Sequence, residues 1–114
     1  MKREDEKQKH PTEVAYPEQC EEYQKIIQEM YKLHLAKNRE YSPNNIKAIG
    51  LLGCALRLFE KNIRLLNLLG WDPWKGEMKE KITDPKFGSV DAELDDLANI
   101  SILMKLLLRG KWAR

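Results

Sequence analysis

From Leu97 to Leu108 the chain reads LANISILMKLLL, apolar nearly all round any helix it forms and interrupted only by Asn99, Ser101 and Lys105. A helix that is apolar on every side has to be covered on every side. The rest of the chain offers two further helical stripes to do that. Tyr23, Ile26, Ile27, Met30, Leu33 and His34 recur at intervals of three and four, the spacing of one helix face. Pro17 suits the first position of that helix, with Glu18, Glu21 and Glu22 at its positive end, and the stripe fades near Lys37–Asn38. Ser42-Pro43 is a second start signal, followed by Ile46, Ile49, Leu52, Leu56, Phe59, Ile63, Leu66 and Leu69 down to a stop at Gly70. Ser89 is the expected cap of the third helix, Val90 to Arg109, which Gly110 ends. The reading is therefore all-α, a helical bundle over residues 17–38, 43–69 and 89–109 with no strand. Two helices of one chain can hardly cover the third, so the core is expected to be completed by a homo-oligomer, a dimer or a tetramer.

With 114 residues the chain suits one domain, and a core of that size needs no disulfide or metal to fold. Residues 1–15 mix both charge signs without apolar period and read as a mobile, disordered tail, leaving residues 16–114 as the domain. Residues 71–88, with Trp71, Pro73, Trp74, Gly76, Pro85 and Gly88, read as a connection with one short helical turn near Gly76–Ile82. Connections this long are candidate lids or binding loops. Gly50 and Gly53 interrupt the second stripe. They mark either close approach by a helix or ligand, or a kink.

Twenty basic against eighteen acidic residues give a net charge of +2, too balanced to indicate nucleic acid as a partner. The start MKREDEKQKH has no apolar stretch behind it, so no secretory signal is expected. No apolar run approaches the ~18 residues of a membrane span, and cytoplasm is the expected location. Cys20 and Cys54 are isolated and read as thiols rather than a disulfide or zinc site. His10 and His34 read as surface or core. Trp71 and Trp74 flank Asp72-Pro73 and either stack on a base or, as expected here, pack over helix ends.

Two patterns carry chemistry. Arg57, Glu60, Lys61 and Arg64 share one face of the second helix, either as a solvated stripe or as part of a site. On the third helix Glu93, Asp96 and Asn99 step by three. Acids in a first turn follow from the helix dipole, but Asp96 and Asn99 enter the apolar run. Carboxylates at this spacing suit a hard cation such as magnesium, which takes oxygen ligands and completes its shell with waters and phosphates. If this face meets Glu60, three carboxylates converge beside Arg57, Lys61 and Arg64, an arrangement for a metal–polyphosphate complex. There is no phosphate-cradling glycine loop, HExxH or GxSxG.

The segments LAKNREYSPNN (35–45), GLLGCALRLFEKNIRLLNLL (50–69) and VDAELDDLANISILMKLLLRGKW (90–112) resemble the phage and bacterial nucleotide-modification-associated domain 1 proteins. That group joins a K-N-x-[DE]-Y-[SG] turn, an R-x-x-[DE]-K-x-x-R-L helix and a D-L-A-N helix. It is similar in turn to the MazG-like all-α nucleotide pyrophosphohydrolases, whose helices carry ExxE and ExxD metal motifs. Here ExxD is present as Glu93-Leu94-Asp95-Asp96, whereas Glu60 has Arg57 three before it and Ile63 three after. The missing acid implies fewer metal ions, another ligand such as Glu40, or no catalysis. The resemblance implies a magnesium-dependent pyrophosphohydrolase that converts an NTP or dNTP to monophosphate and pyrophosphate. Glu60, Glu93 and Asp96 would hold the metal, Arg57, Lys61 and Arg64 would neutralise phosphates, and Asn45 or Asn99 would orient sugar or base. The alternative is a protein that binds or sequesters nucleotide without turnover.

Overall fold

A computed structural model describes residues 8–40, 43–79 and 87–114, with side chains described except at 39–45 and 87. The described residues are mostly helical. Helix α1 (Pro11–Ala15) precedes α2 (Pro17–Glu40), α3 (Pro43–Leu68), a hairpin of β1 (Trp71–Asp72) and β2 (Glu77–Met78), and α4 (Phe87–Leu108). No helix among them is long and apolar enough to cross a membrane.

Helix α1 falls where a tail was expected, and its cause is local. His10 Nδ1 accepts the Thr12 N–H at 3.1 Å while Glu13 Oε1 accepts the His10 N–H at 3.1 Å. This reciprocal cap satisfies two donors that a helix start leaves open. Residues 1–7 of the expected tail lie outside the described residues. Tyr16, at φ −131 and ψ 65, separates α1 from α2, and Pro17, which has no N–H to lose, opens α2.

Helix α3 is broken at Gly50, whose φ of 60 and ψ of −163 are non-helical. That backbone region is open essentially to glycine alone. Nothing stands within 4 Å of a Cβ built there, so Gly50 is a kink and not a close approach. Gly53 differs: a Cβ there would lie 2.5 Å from the Ile49 Cβ, so the break brings Ile49 down onto it.

Gly70, at φ 85, ends α3, and the Lys79 N–H returns to the Gly70 carbonyl at 2.8 Å. The strands pair antiparallel, Trp71 with Met78 and Asp72 with Glu77. Asp72 Oδ1 accepts the N–H groups of Trp74 and Lys75 at 2.9 and 3.1 Å. These bonds hold the Asp72 carboxyl below its usual range, that from Lys75 contributing most. A hairpin thus replaces the expected helical turn as far as Lys79, and residues 80–86 lie outside the described residues.

Helix α4 starts at Phe87, ahead of the expected cap Ser89, so no acid occupies its first turn. The dipole therefore does not account for Asp91 or Glu93. Its end is a left-handed glycine cap, with Gly110 at φ 63, its N–H on the Leu107 carbonyl and the Lys111 N–H on that of Leu106. This closure satisfies the last carbonyls and reverses the chain. The reversal delivers Trp112 into a buried cluster with Ile46 and Leu103, flanked by Ile49, Leu106 and Leu107. Trp112 also meets His34 edge to face, with centroids 6.3 Å apart. One residue thus joins α2, α3 and α4. The main packing is α3 on α4, and α2 meets α4 over a shorter stretch.

Candidate functional site

The interruptions of the apolar stretch in α4 have three different explanations. Ser101 Oγ donates to the Leu97 carbonyl at 2.9 Å, a local bond that meets the hydroxyl's need within the helix. Lys105 is in the last turn and exposed. Asn99 is buried, with 5 % of its surface exposed, and lines a recess of about 270 Å³. The apolar floor of that recess is Ile46, Ile100 and Leu103, and its polar wall is Lys37, Arg57, Glu60, Lys61, Arg64, Asp96 and Asn99. Two floor residues, Ile46 and Leu103, belong to the core cluster.

Each wall position follows from helix geometry. Arg57, Glu60, Lys61 and Arg64 lie at i, i+3, i+4 and i+7 on α3, so they share one face. Asp96, Asn99, Ile100 and Leu103 repeat that spacing on α4, and Lys37 comes from the last turns of α2.

Asp96 is the electrostatic centre. Its Oδ1 accepts from Lys37 Nζ at 2.7 Å, and its Oδ2 lies 2.8 Å from Lys61 Nζ. Lys61 Nζ also stands 3.9 Å from Glu93 Oε2. Burial pushes the Asp96 carboxyl up, but the hydrogen bonds and charges of Lys37 and Lys61 outweigh it and hold the group below its usual range. Its neighbour Asp95 shifts the other way. Burial raises it, and the charges of Asp91, Asp96 and Glu29 add to the rise against Lys37. Glu93 Oε2 is buried and has no hydrogen-bond partner among the described residues.

The expected residues divide as follows. Arg57, Glu60, Lys61, Arg64, Asp96 and Asn99 come together at the recess. Glu93 is behind it, against Lys61. The side chains of Asn45 and Glu40 lie outside the described residues. Lys37 was not among the residues singled out for the site, because the helical stripe fades at that point. The available signal was its place at the head of the Lys37-Asn38-Arg39-Glu40-Tyr41-Ser42 segment. Among the described residues no three His, Cys, Asp or Glu side chains group so as to hold a metal ion. Cys20 and Cys54 are free thiols, and burial raises the pKa of Cys54 against the nearby charge of Arg57. Trp74 packs edge to face on Phe59 at 6.4 Å. Phe59 projects from the side of α3 roughly opposite the recess, so this pair is packing over a helix and not a wall of the site.

No family model matches the chain, and no curated protein or solved structure is found similar to it.

Proposed function

We propose that the recess between α2, α3 and α4 binds the polyphosphate of a nucleoside or deoxynucleoside triphosphate. The observation that carries this reading is the convergence of four basic side chains, Lys37, Arg57, Lys61 and Arg64, on a single recess with an apolar floor. Guanidinium groups offer paired donors to phosphate oxygens, and ammonium groups add point charge. A volume of about 270 Å³ lies just under the ~300 Å³ where small-molecule sites begin, which suits the phosphates and sugar with the base outside. The three segments that carry the resemblance to the nucleotide-modification-associated domain 1 proteins each supply part of this wall. Calorimetry across NTPs and dNTPs tests the reading. Saturable binding that weakens at least tenfold in Arg57→Ala/Arg64→Ala supports it, and no binding by any nucleotide removes it. A cytoplasmic location goes with such a ligand.

A second reading, magnesium-dependent pyrophosphohydrolysis, is favoured by the buried Glu93 Oε2, which accepts no hydrogen bond among the described residues and has only the Lys61 ammonium at 3.9 Å, and by Glu60 on the wall. Carboxylate oxygens are the right donors for magnesium, which when bound would polarise a phosphate and activate water. As arranged, Asp96 is held by two ammonium groups, which a magnesium ion would have to displace. Release of pyrophosphate, followed with added pyrophosphatase, distinguishes turnover from sequestration.

The chain's own partner, in this reading, is a second copy. On α2, Met30, Leu33, His34 and Lys37 are wholly or partly buried, while Tyr23, Ile26 and Ile27 continue the same stripe uncovered. On α3, Leu52, Leu56 and Phe59 form an exposed apolar stripe, Leu52 at 74 %. These surfaces, more than α4, are what a helical bundle completed by a second chain would cover.

A further inference from the structure

Both oxygens of Asp96 are engaged, one by Lys37 and one by Lys61, and Lys61 leans in addition toward Glu93. Two ammonium groups thus neutralise two carboxylates at the place where the resemblance would put a divalent cation. A magnesium ion entering here would have to displace both lysines from Asp96, in a recess that Arg57 and Arg64 also line. An anion meets the opposite field, since among the described residues Lys37, Arg57, Lys61 and Arg64 face only Glu60 and Asp96 on the wall, with Glu93 behind Lys61.

We infer that the recess takes its polyphosphate ligand without a divalent cation, Lys37 and Lys61 supplying the positive charge that a metal would otherwise bring. This rests on the nucleotide-site reading and narrows its ligand to the metal-free polyphosphate anion. Lysine suits the role because its ammonium is a point charge on a flexible stem with three donors. One donor keeps its carboxylate while another turns to a phosphate oxygen. Lys61, already shared between Asp96 and Glu93, can shift toward a ligand without leaving either acid far behind. Lys37 arrives from a different helix, so its bond to Asp96 also holds α2 against the recess. Magnesium opposes binding in this arrangement, because it takes up the phosphate charge that the four basic side chains recognise.

The test uses the full chain and two probes, inorganic pyrophosphate and ATP, titrated calorimetrically with EDTA and again with saturating magnesium. The expected result is tighter binding in EDTA than in magnesium, with pyrophosphate alone sufficient. It should weaken as salt rises, because exposed charges are screened. Lys37→Met should weaken EDTA binding about tenfold, and Lys37→Arg should recover most of it. Binding that appears only with magnesium overturns the inference and leaves the nucleotide site standing. Unchanged affinity in a folded Lys37→Met overturns the part assigned to Lys37. If neither ATP nor pyrophosphate binds under either condition, the nucleotide site itself is wrong and the inference falls with it. The wild-type comparison decides the main point even if Lys37→Met does not fold.

Discussion

Asp95 and Asp96 are sequence neighbours with opposite titration behaviour, and helix geometry explains why. A step of one residue turns about 100° around a helix, which carries Asp96 toward Lys37 and Lys61 and Asp95 toward Glu29 and Asp91. Asp96 ionises more readily folded than unfolded. Its contribution to stability is therefore complete above the ordinary aspartate range and is lost as pH falls through its lowered pKa. Asp96→Asn should lower the melting temperature at pH 7 by the equivalent of about 1–3 kcal/mol. That gap should narrow as pH falls below about 4, and equal melting curves at pH 7 would show that the lysine pairs contribute nothing. For Asp95 the sign reverses. Its raised pKa favours the folded state at low pH and penalises it once the carboxyl ionises, so Asp95→Asn should raise the melting temperature at pH 7 and change little near pH 3. A lower melting temperature at pH 7 would contradict the repulsion from Asp91, Asp96 and Glu29. The sequence spacing of three and four was enough to group Arg57, Glu60, Lys61 and Arg64, and Asp96 with Asn99. It could not show that Lys37 pairs with Asp96, because that partner lies 59 residues away on another helix and periodicity is blind to such contacts.

At the scale of elements, proline and glycine marked the helix ends well. Pro17 and Pro43 open helices, and Gly70 and Gly110 follow their ends. The hairpin was missed because two-residue strands are too short to show alternation, although Asp72 and Gly76 carried the turn chemistry that folds it. Helix α1 was missed because its cap is a histidine in place of the usual serine, threonine or aspartate. Gly50 and Gly53 left two meanings open, and the structure separates them. Gly50→Ala meets no atom within 4 Å, so its cost should be that of the backbone region alone, about 1–3 kcal/mol. Gly88, in the first turn of α4, also has open space and no left-handed φ, so Gly88→Ala should instead stabilise by up to about 1 kcal/mol. Denaturant midpoints for the two variants should move in opposite directions. Movement the same way would mean that Gly50 is not conformationally special.

For the molecule as a whole, the surface balance points outward. Among the described residues, Tyr23, Ile26 and Ile27 on α2 and Leu52, Leu56 and Phe59 on α3 are large apolar side chains left exposed. Uncovered apolar stripes on two helices are the kind of surface that an obligate homodimer interface hides. Light scattering at micromolar concentration should accordingly give at least twice the chain mass, and a mass of 13.4 kDa would count against a second copy. Leu52→Glu/Leu56→Glu should dissociate the assembly while leaving helical content intact. If the mass stays that of the oligomer, the outer stripe of α3 is not the interface. The sequence pointed to self-association through the apolar length of α4. That helix proves to be partly covered by α3, and the larger uncovered stripes are on α2 and on the outside of α3. Hydrophobic pattern alone shows that surface must be hidden, but not which neighbour hides it.

The chain reversal at Gly110 also has an optical consequence. Of the three tryptophans, Trp74 is 76 % exposed, Trp71 is half-buried and Trp112 is 8 % exposed against the floor of the recess. In a Trp71→Phe/Trp74→Phe protein the remaining indole should emit toward the blue and resist quenching by acrylamide. Because Trp112 packs on Ile46 and Leu103, which also line the recess, loading the recess should change the yield or wavelength of that emission. The C-terminal turn would then serve as a built-in fluorescent gauge of occupancy, read without a label and without waiting for turnover.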